Sequence, residues 1–119
     1  MEKRNEVLEI SFEFALQIIE FSALFETNRK YVIARQLLKS GTSIGANIRE
    51  VQGGKSKANF IHKLNISHKE AEETEYWLLL YEKAMSYPSP PSEMKALLLS
   101  IQKLLSKIMS TTKSQMKGS

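Results

Sequence analysis

The sequence predicts an all-α protein: an antiparallel up-down-up-down four-helix bundle with helices at about 3–25, 30–52, 57–87 and 92–111. Three observations carry that expectation. Apolar residues recur at spacings of three and four along most of the chain, and no useful length alternates with period two. The periodic segments are separated by short breaks containing glycine, proline or asparagine. Connections this short join antiparallel neighbours. The 119 residues are read as one domain, 1–119, long enough to bury a core without staples. The polar tail, 112–119, is expected to fray. Helices of this length are roughly 30–45 Å long at about 1.5 Å per residue, so the body should be a rod.

The first segment presents Val7, Ile10, Phe14, Ile18, Phe21 and Phe25 on one face. Thr27 and Asn28 form the connection, with Asn28 expected to cap the second helix. The second segment has a stripe of Ile33, Leu37, Ile44, Ile48 and Val51, and Gly53-Gly54 should stop it. Ser56 is the expected N-cap of the third segment. There Phe60, Leu64, Ser67, Ala71, Thr74, Leu78, Tyr81 and Met85 alternate steps of four and three, the seam of a left-handed bundle. Pro88, Pro90 and Pro91 end it. The fourth segment, with Ser92 as its expected cap, carries Met94, Leu97, Leu98, Ile101, Leu104, Leu105 and Ile108.

The middle of the second segment is anomalous. Ser40, Gly41, Thr42, Ser43, Gly45 and Ala46 fill it, although glycine inside a helix costs about 0.5–1 kcal/mol relative to alanine. Two glycines four apart imply that another backbone comes close. The sequence leaves open whether that neighbour belongs to the same chain or to another copy.

Two segments have more apolar surface than one core needs. Leu8, Phe12, Ala15 and Ile19 form a second stripe on the first segment, and Ile66, Trp77 and Ala84 a second stripe on the third. Such faces mark interfaces, or else the edge of a wide core. Self-association is the expected use, with Phe12, Ile19, Gly41, Gly45, Ile66 and Trp77 as candidate interface residues and closed symmetry as the default. The alternative is a module that docks a partner protein on Phe12, Ile19, Ile66 and Trp77.

Charge is arranged in blocks that alternate in sign. Glu2 to Glu26 has two bases and six acids, and Arg29 to Lys57 seven bases and one acid. Ala58 to Tyr87 has three bases and five acids, and the remainder five bases and one acid. Acidic helices packed beside basic ones would produce this pattern, as would basic faces that meet a polyanion. Arg35, Lys39, Thr42 and Arg49 share one face of the second segment, and Lys55 and Lys57 follow it. These five cations are the candidate nucleic-acid contacts, RNA or DNA, through backbone phosphates. Lys103 and Lys107 add a smaller pair.

Other chemistry is not expected. The chain has no cysteine, which excludes disulfides and thiolate zinc sites and fits a reducing cytoplasm. The N-terminus carries acids within its apolar stretch, unlike a signal peptide. No run of about 18 apolar residues is available to span a membrane. His62 and His68 fall on opposite sides of a helix, His68 and Glu72 alone do not make a metal site, and Glu-x-x-His spacing is absent. The run Lys69 to Glu75 reads as a solvated or salt-bridged face. No serine-histidine-carboxylate set can be assembled from sequence spacing, so no enzyme activity, cofactor, metal or small-molecule substrate is expected.

The segment Gln36 to Glu50 resembles the signature of the four-helix-bundle proteins encoded in intervening sequences of bacterial 23S rRNA genes. Ser56, Phe60 to Leu64 and Lys69 to Leu78 resemble a second block of that family, and the likeness extends from Phe14 to Leu80. Departures are Lys39 for the usual arginine, Val51 for alanine and Asn59 for an acid. The resemblance implies a four-helix bundle assembled into a pentameric ring. A similar fold occurs in the accessory protein of diversity-generating retroelements, a basic pentamer that binds nucleic acid and a reverse transcriptase. The resemblance brings no catalytic residues with it.

Overall fold

The computed structural model describes residues 2–53 and 56–117, with side chains from Asn5 onward. It contains α1 (Glu2–Thr27), α2 (Tyr31–Glu50), α3 (Lys57–Lys83) and α4 (Ser92–Lys117). Around the bundle, α1 packs on α2, α2 on α3, α3 on α4 and α4 back on α1, so the helices run up, down, up, down. The body measures 53 × 21 × 19 Å, the rod expected of helices this long.

Heptad-like spacing dictates the core. Val7, Phe14, Ile18, Phe21 and Phe25 of α1 meet Leu37, Ile44 and Ile48 of α2. Phe60, Leu64, Ala71, Leu78 and Tyr81 of α3 and Met94, Leu98, Ile101, Leu105 and Ile108 of α4 close the other half. Ile10, Ile33, Leu97 and Leu104 are half-buried at its edge. Hydroxyls cross the α2–α3 seam within this core. Ser67 donates to the Ile44 carbonyl at 2.8 Å, and the Thr74 hydrogen is shared between Ser40 Oγ at 3.0 Å and the Glu70 carbonyl at 2.7 Å. Buried hydroxyls with partners cost little and fix the register of the two helices.

Helix ends depart from several expectations. Asn28 does not cap α2. Its side chain donates back to the Leu24 carbonyl at 2.8 Å, and the cap position of α2 is Lys30, without a side-chain bond. The α1 terminus is a Schellman motif: Lys30 N donates to the Phe25 carbonyl and Arg29 N to that of Glu26, with Arg29 left-handed at φ 62°. Gly53, at φ 75°, turns the chain after α2. Gly54 lies outside the described residues. Ser56 does cap α3, accepting from Asn59 N at 3.1 Å. Ser92 is the first residue of α4 rather than its cap, and the Pro91 carbonyl accepts from Met94 and Lys95.

α3 ends at Lys83, not near Tyr87, and Met85 is fully exposed instead of in the seam. The cause is Tyr87. The chain leaves the helix so that this ring stacks on Tyr81, with centroids 5.6 Å apart, and meets Phe25 edge-on. α4 runs on through Lys117, past the expected end near Thr111, with Thr112 buried and donating to the Ile108 carbonyl. Glu82 and Lys95 form an ion pair across α3 and α4, which holds the Glu82 carboxyl below its ordinary range. Among the described residues, no helix is long and apolar enough to cross a membrane.

Candidate nucleic-acid interface

The small residues of α2 determine how closely it lies on α1. A Cβ on Gly41 would fall 2.8 Å from both Cγ1 and Cγ2 of Ile18. One on Gly45 would fall 3.2 Å from Ser11 Oγ. The close neighbour that the glycines imply is therefore α1 of the same chain. Gly41 is buried there, while Gly45 is half-buried in a shallow groove with Phe12, Ala15, Thr42 and Arg49.

The α1 contact fixes which face of α2 looks outward. Arg35, Lys39 and Arg49 stand exposed along it, spanning 14 residues or roughly 21 Å of helix. Thr42 between them is half-buried and spends its hydroxyl on the Leu38 carbonyl at 2.7 Å. Among the described residues, Arg35 and Arg49 have no carboxylate within ion-pair distance. Lys39 is influenced by Glu70 of α3: burial raises the Glu70 carboxyl above its ordinary range, Glu73 raises it further, and Lys39 opposes both. Lys57 is exposed at the first turn of α3. Lys55 lies outside the described residues.

The apolar candidates separate into two groups. Phe12 and Ile19 are 57% and 47% exposed, and Leu16 extends their surface, while Leu24 is exposed around the helix beside Glu13 and Glu20 in a groove toward α4. Ile66 and Trp77 are only half-buried. Trp77 packs against the core, stacks on Tyr81 with centroids 6.4 Å apart, and donates to Glu73 at 3.4 Å. It serves the bundle's own aromatic cluster more than its surface.

Two features escaped the sequence reading. First, Ser106 Oγ lies 3.4 Å from His68 Nε2, and His68 Nδ1 lies 3.7 Å from Glu72. These residues follow the order nucleophile, base and orienting carboxylate, brought together from helices 38 positions apart. Ser106 sits mid-helix, however, where neighbouring N–H groups serve the i to i−4 ladder rather than a developing oxyanion. The trio reads as a polar link between α3 and α4. Second, a surface groove of about 440 Å³ lies between those helices, lined by Asn65, Ser106, Ser110, Lys113, Ser114 and Lys117. Lys113 and Lys117 were missed because the tail was expected to fray. Among the described residues, no group of three histidines or carboxylates could hold a metal ion.

A family model for the 23S rRNA-intervening sequence protein matches residues 3–110. The chain belongs to that family. A solved structure of a protein of unknown function from the S23 ribosomal protein family of Bacteroides thetaiotaomicron is 41% identical, with a TM-score of 0.80. The match covers 91% of this chain and 98% of that one. No curated protein matches the sequence. The resemblance drawn from Gln36 to Glu50 is borne out as family membership, and in this member the small residues of that block seat α2 on α1.

Proposed function

We propose that this 23S rRNA-intervening sequence family member is a non-enzymatic, cytoplasmic, self-associating bundle that binds RNA or DNA through backbone phosphates along α2. One observation carries the reading: Arg35 and Arg49 stand out of a single face with Lys39 between them, and neither arginine has a carboxylate partner among the described residues. Unpaired, solvated guanidinium groups form charge-assisted, bidentate bonds to phosphate without first breaking an internal pair. Self-association multiplies the strip, because each added copy contributes the same cations at a fixed spacing. The exposed Phe12, Leu16 and Ile19 on α1 are the surface for that assembly, and five copies is the number the family resemblance implies.

Light scattering with an RNA titration tests both halves. The wild type should be an oligomer that binds RNA at low salt. Phe12→Glu with Ile19→Glu should release monomers, and Arg35→Ala, Lys39→Ala and Arg49→Ala together should weaken RNA binding strongly and flatten its salt dependence while leaving the oligomer intact. A monomer at high concentration, or undiminished RNA binding by the triple variant, would refute the corresponding half.

The same α1 surface supports a second reading, in which it docks a different protein. A wild-type chain that is monomeric and binds no nucleic acid would favour it.

A further inference from the structure

We propose that the groove between α3 and α4 is a second seat for nucleic-acid backbone, specific for a duplex. Lys113 and Lys117 are its cations, and Asn65, Ser106, Ser110 and Ser114 its neutral hydrogen-bonding groups. The inference rests on the nucleic-acid reading above and adds a site to it.

Four observations support it. The alternating helix directions bring the last turns of α2 and α4 and the first turns of α3 to one end of the rod, together with the first turns of α1 and their exposed Glu6 and Glu9. Arg49, Lys57, Lys113 and Lys117 therefore share that end. α4 has no acid after Glu93, so Lys103, Lys107, Lys113 and Lys117 meet no carboxylate of their own helix beyond its first turn. The groove is concave, about 440 Å³, and no carboxylate lines it. Its walls combine ammonium groups with serine hydroxyls and an asparagine amide, the side chains that bond phosphate and sugar oxygens.

The lining also chooses between nucleic-acid forms. Proteins that hold single strands without sequence preference stack successive bases on aromatic rings. No aromatic residue lines this groove, and the one apolar lining residue is Met109. What remains reads backbone alone, which a duplex presents in regular order. The hydroxyls and the asparagine carbonyl can also accept a bond from a ribose 2′-hydroxyl, which lysine cannot. Duplex RNA is therefore the expected preference over duplex DNA.

The test uses the full chain with a 20-base-pair RNA duplex, the matching DNA duplex and a single strand, titrated from 50 to 200 mM salt. Lys113→Ala with Lys117→Ala should weaken duplex binding about tenfold at 50 mM and reduce the salt slope by about 1.8, or 0.9 per lost contact. Acetylation of the wild-type protein, read by mass spectrometry, should show both lysines reactive alone and protected by the duplex. That measurement needs no variant to fold. Wild-type affinity and slope in the double variant, with loss in Arg35→Ala plus Arg49→Ala, would overturn this site and leave the α2 reading standing. No binding by the wild type would overturn both. Tighter binding of the single strand would overturn the duplex assignment, and protection of the lysines without nucleic acid would show that another copy covers the groove.

Discussion

Gly41 lies so close to Ile18 that a methyl group at that position would meet two of its carbons at 2.8 Å. Comfortable carbon contacts are about 3.5–4.0 Å. One of the two carbons is Cγ2, which is not the free end of a flexible chain, so α1 and α2 would have to separate. Gly41→Ala should therefore lose about 1–3 kcal/mol to overpacking, offset by up to about 1 kcal/mol of helix propensity. Gly45→Ala meets Ser11 Oγ at 3.2 Å, with Ser11 Cβ and its carbonyl oxygen at an ordinary contact distance of 3.4 Å, and the hydroxyl can give way by loosening its bond to the Leu8 carbonyl. Its stability should be unchanged or slightly higher. Urea denaturation of the two variants separates them, and equal losses would contradict this account of the α1–α2 contact.

The same glycines show what the sequence conveys and what it withholds. Their spacing announces a close neighbour, because nothing local rewards glycine in mid-helix. It cannot say which helix arrives, since that depends on how four stripes pair in three dimensions. The α3 seam from Phe60 to Tyr81 was legible throughout because every member of a heptad repeat faces the same way. Met85 continues the arithmetic and fails, because the stacking of Tyr87 on Tyr81 is a tertiary contact that periodicity does not encode. Thr112 was misread for the opposite reason: it extends the stripe of Ile101, Leu105 and Ile108, but a threonine in a polar tail carries no hydrophobic signal. Lys113 and Lys117 were lost with it. Arg35, Lys39 and Arg49 were legible as one face, since helical spacing alone groups them. The link between Ser106 and His68 was not, because it joins two helices.

Tyr81 is buried in the aromatic cluster, and its hydroxyl has no hydrogen-bond partner among the described residues. Burial, with Tyr87 beside it, pushes its pKa from the ordinary 10 up to about 12. The folded protein thus holds the neutral phenol while the unfolded chain ionises near pH 10. Its contribution to stability is complete below pH 10 and is lost as pH rises toward 12. Tyr81→Phe removes both the unpaired hydroxyl and the titration. The variant should match or exceed the wild-type melting temperature at pH 7 and lose less of it between pH 10 and 12. A large loss at pH 7 would mean that the hydroxyl has a partner.

Arg29 adopts φ 62° at the position after the α1 cap, where glycine is the usual residue. A left-handed conformation costs a side-chain-bearing residue roughly 1–2 kcal/mol, and glycine's greater freedom in the unfolded chain returns part of that. Arg29→Gly should stabilise the protein by about 0.5–1 kcal/mol in urea denaturation. Destabilisation would show that the arginine side chain makes a contact worth more than the strain.

The salt dependence of any affinity of the wild-type protein for nucleic acid tests the central claim, the proposed phosphate contacts, most directly. With three cations on α2 and two in the α3–α4 groove, the logarithm of affinity should fall against the logarithm of salt with a slope of about −4 or steeper for duplex RNA. Binding that is absent at 50 mM salt, or that stays flat as salt rises, would contradict it.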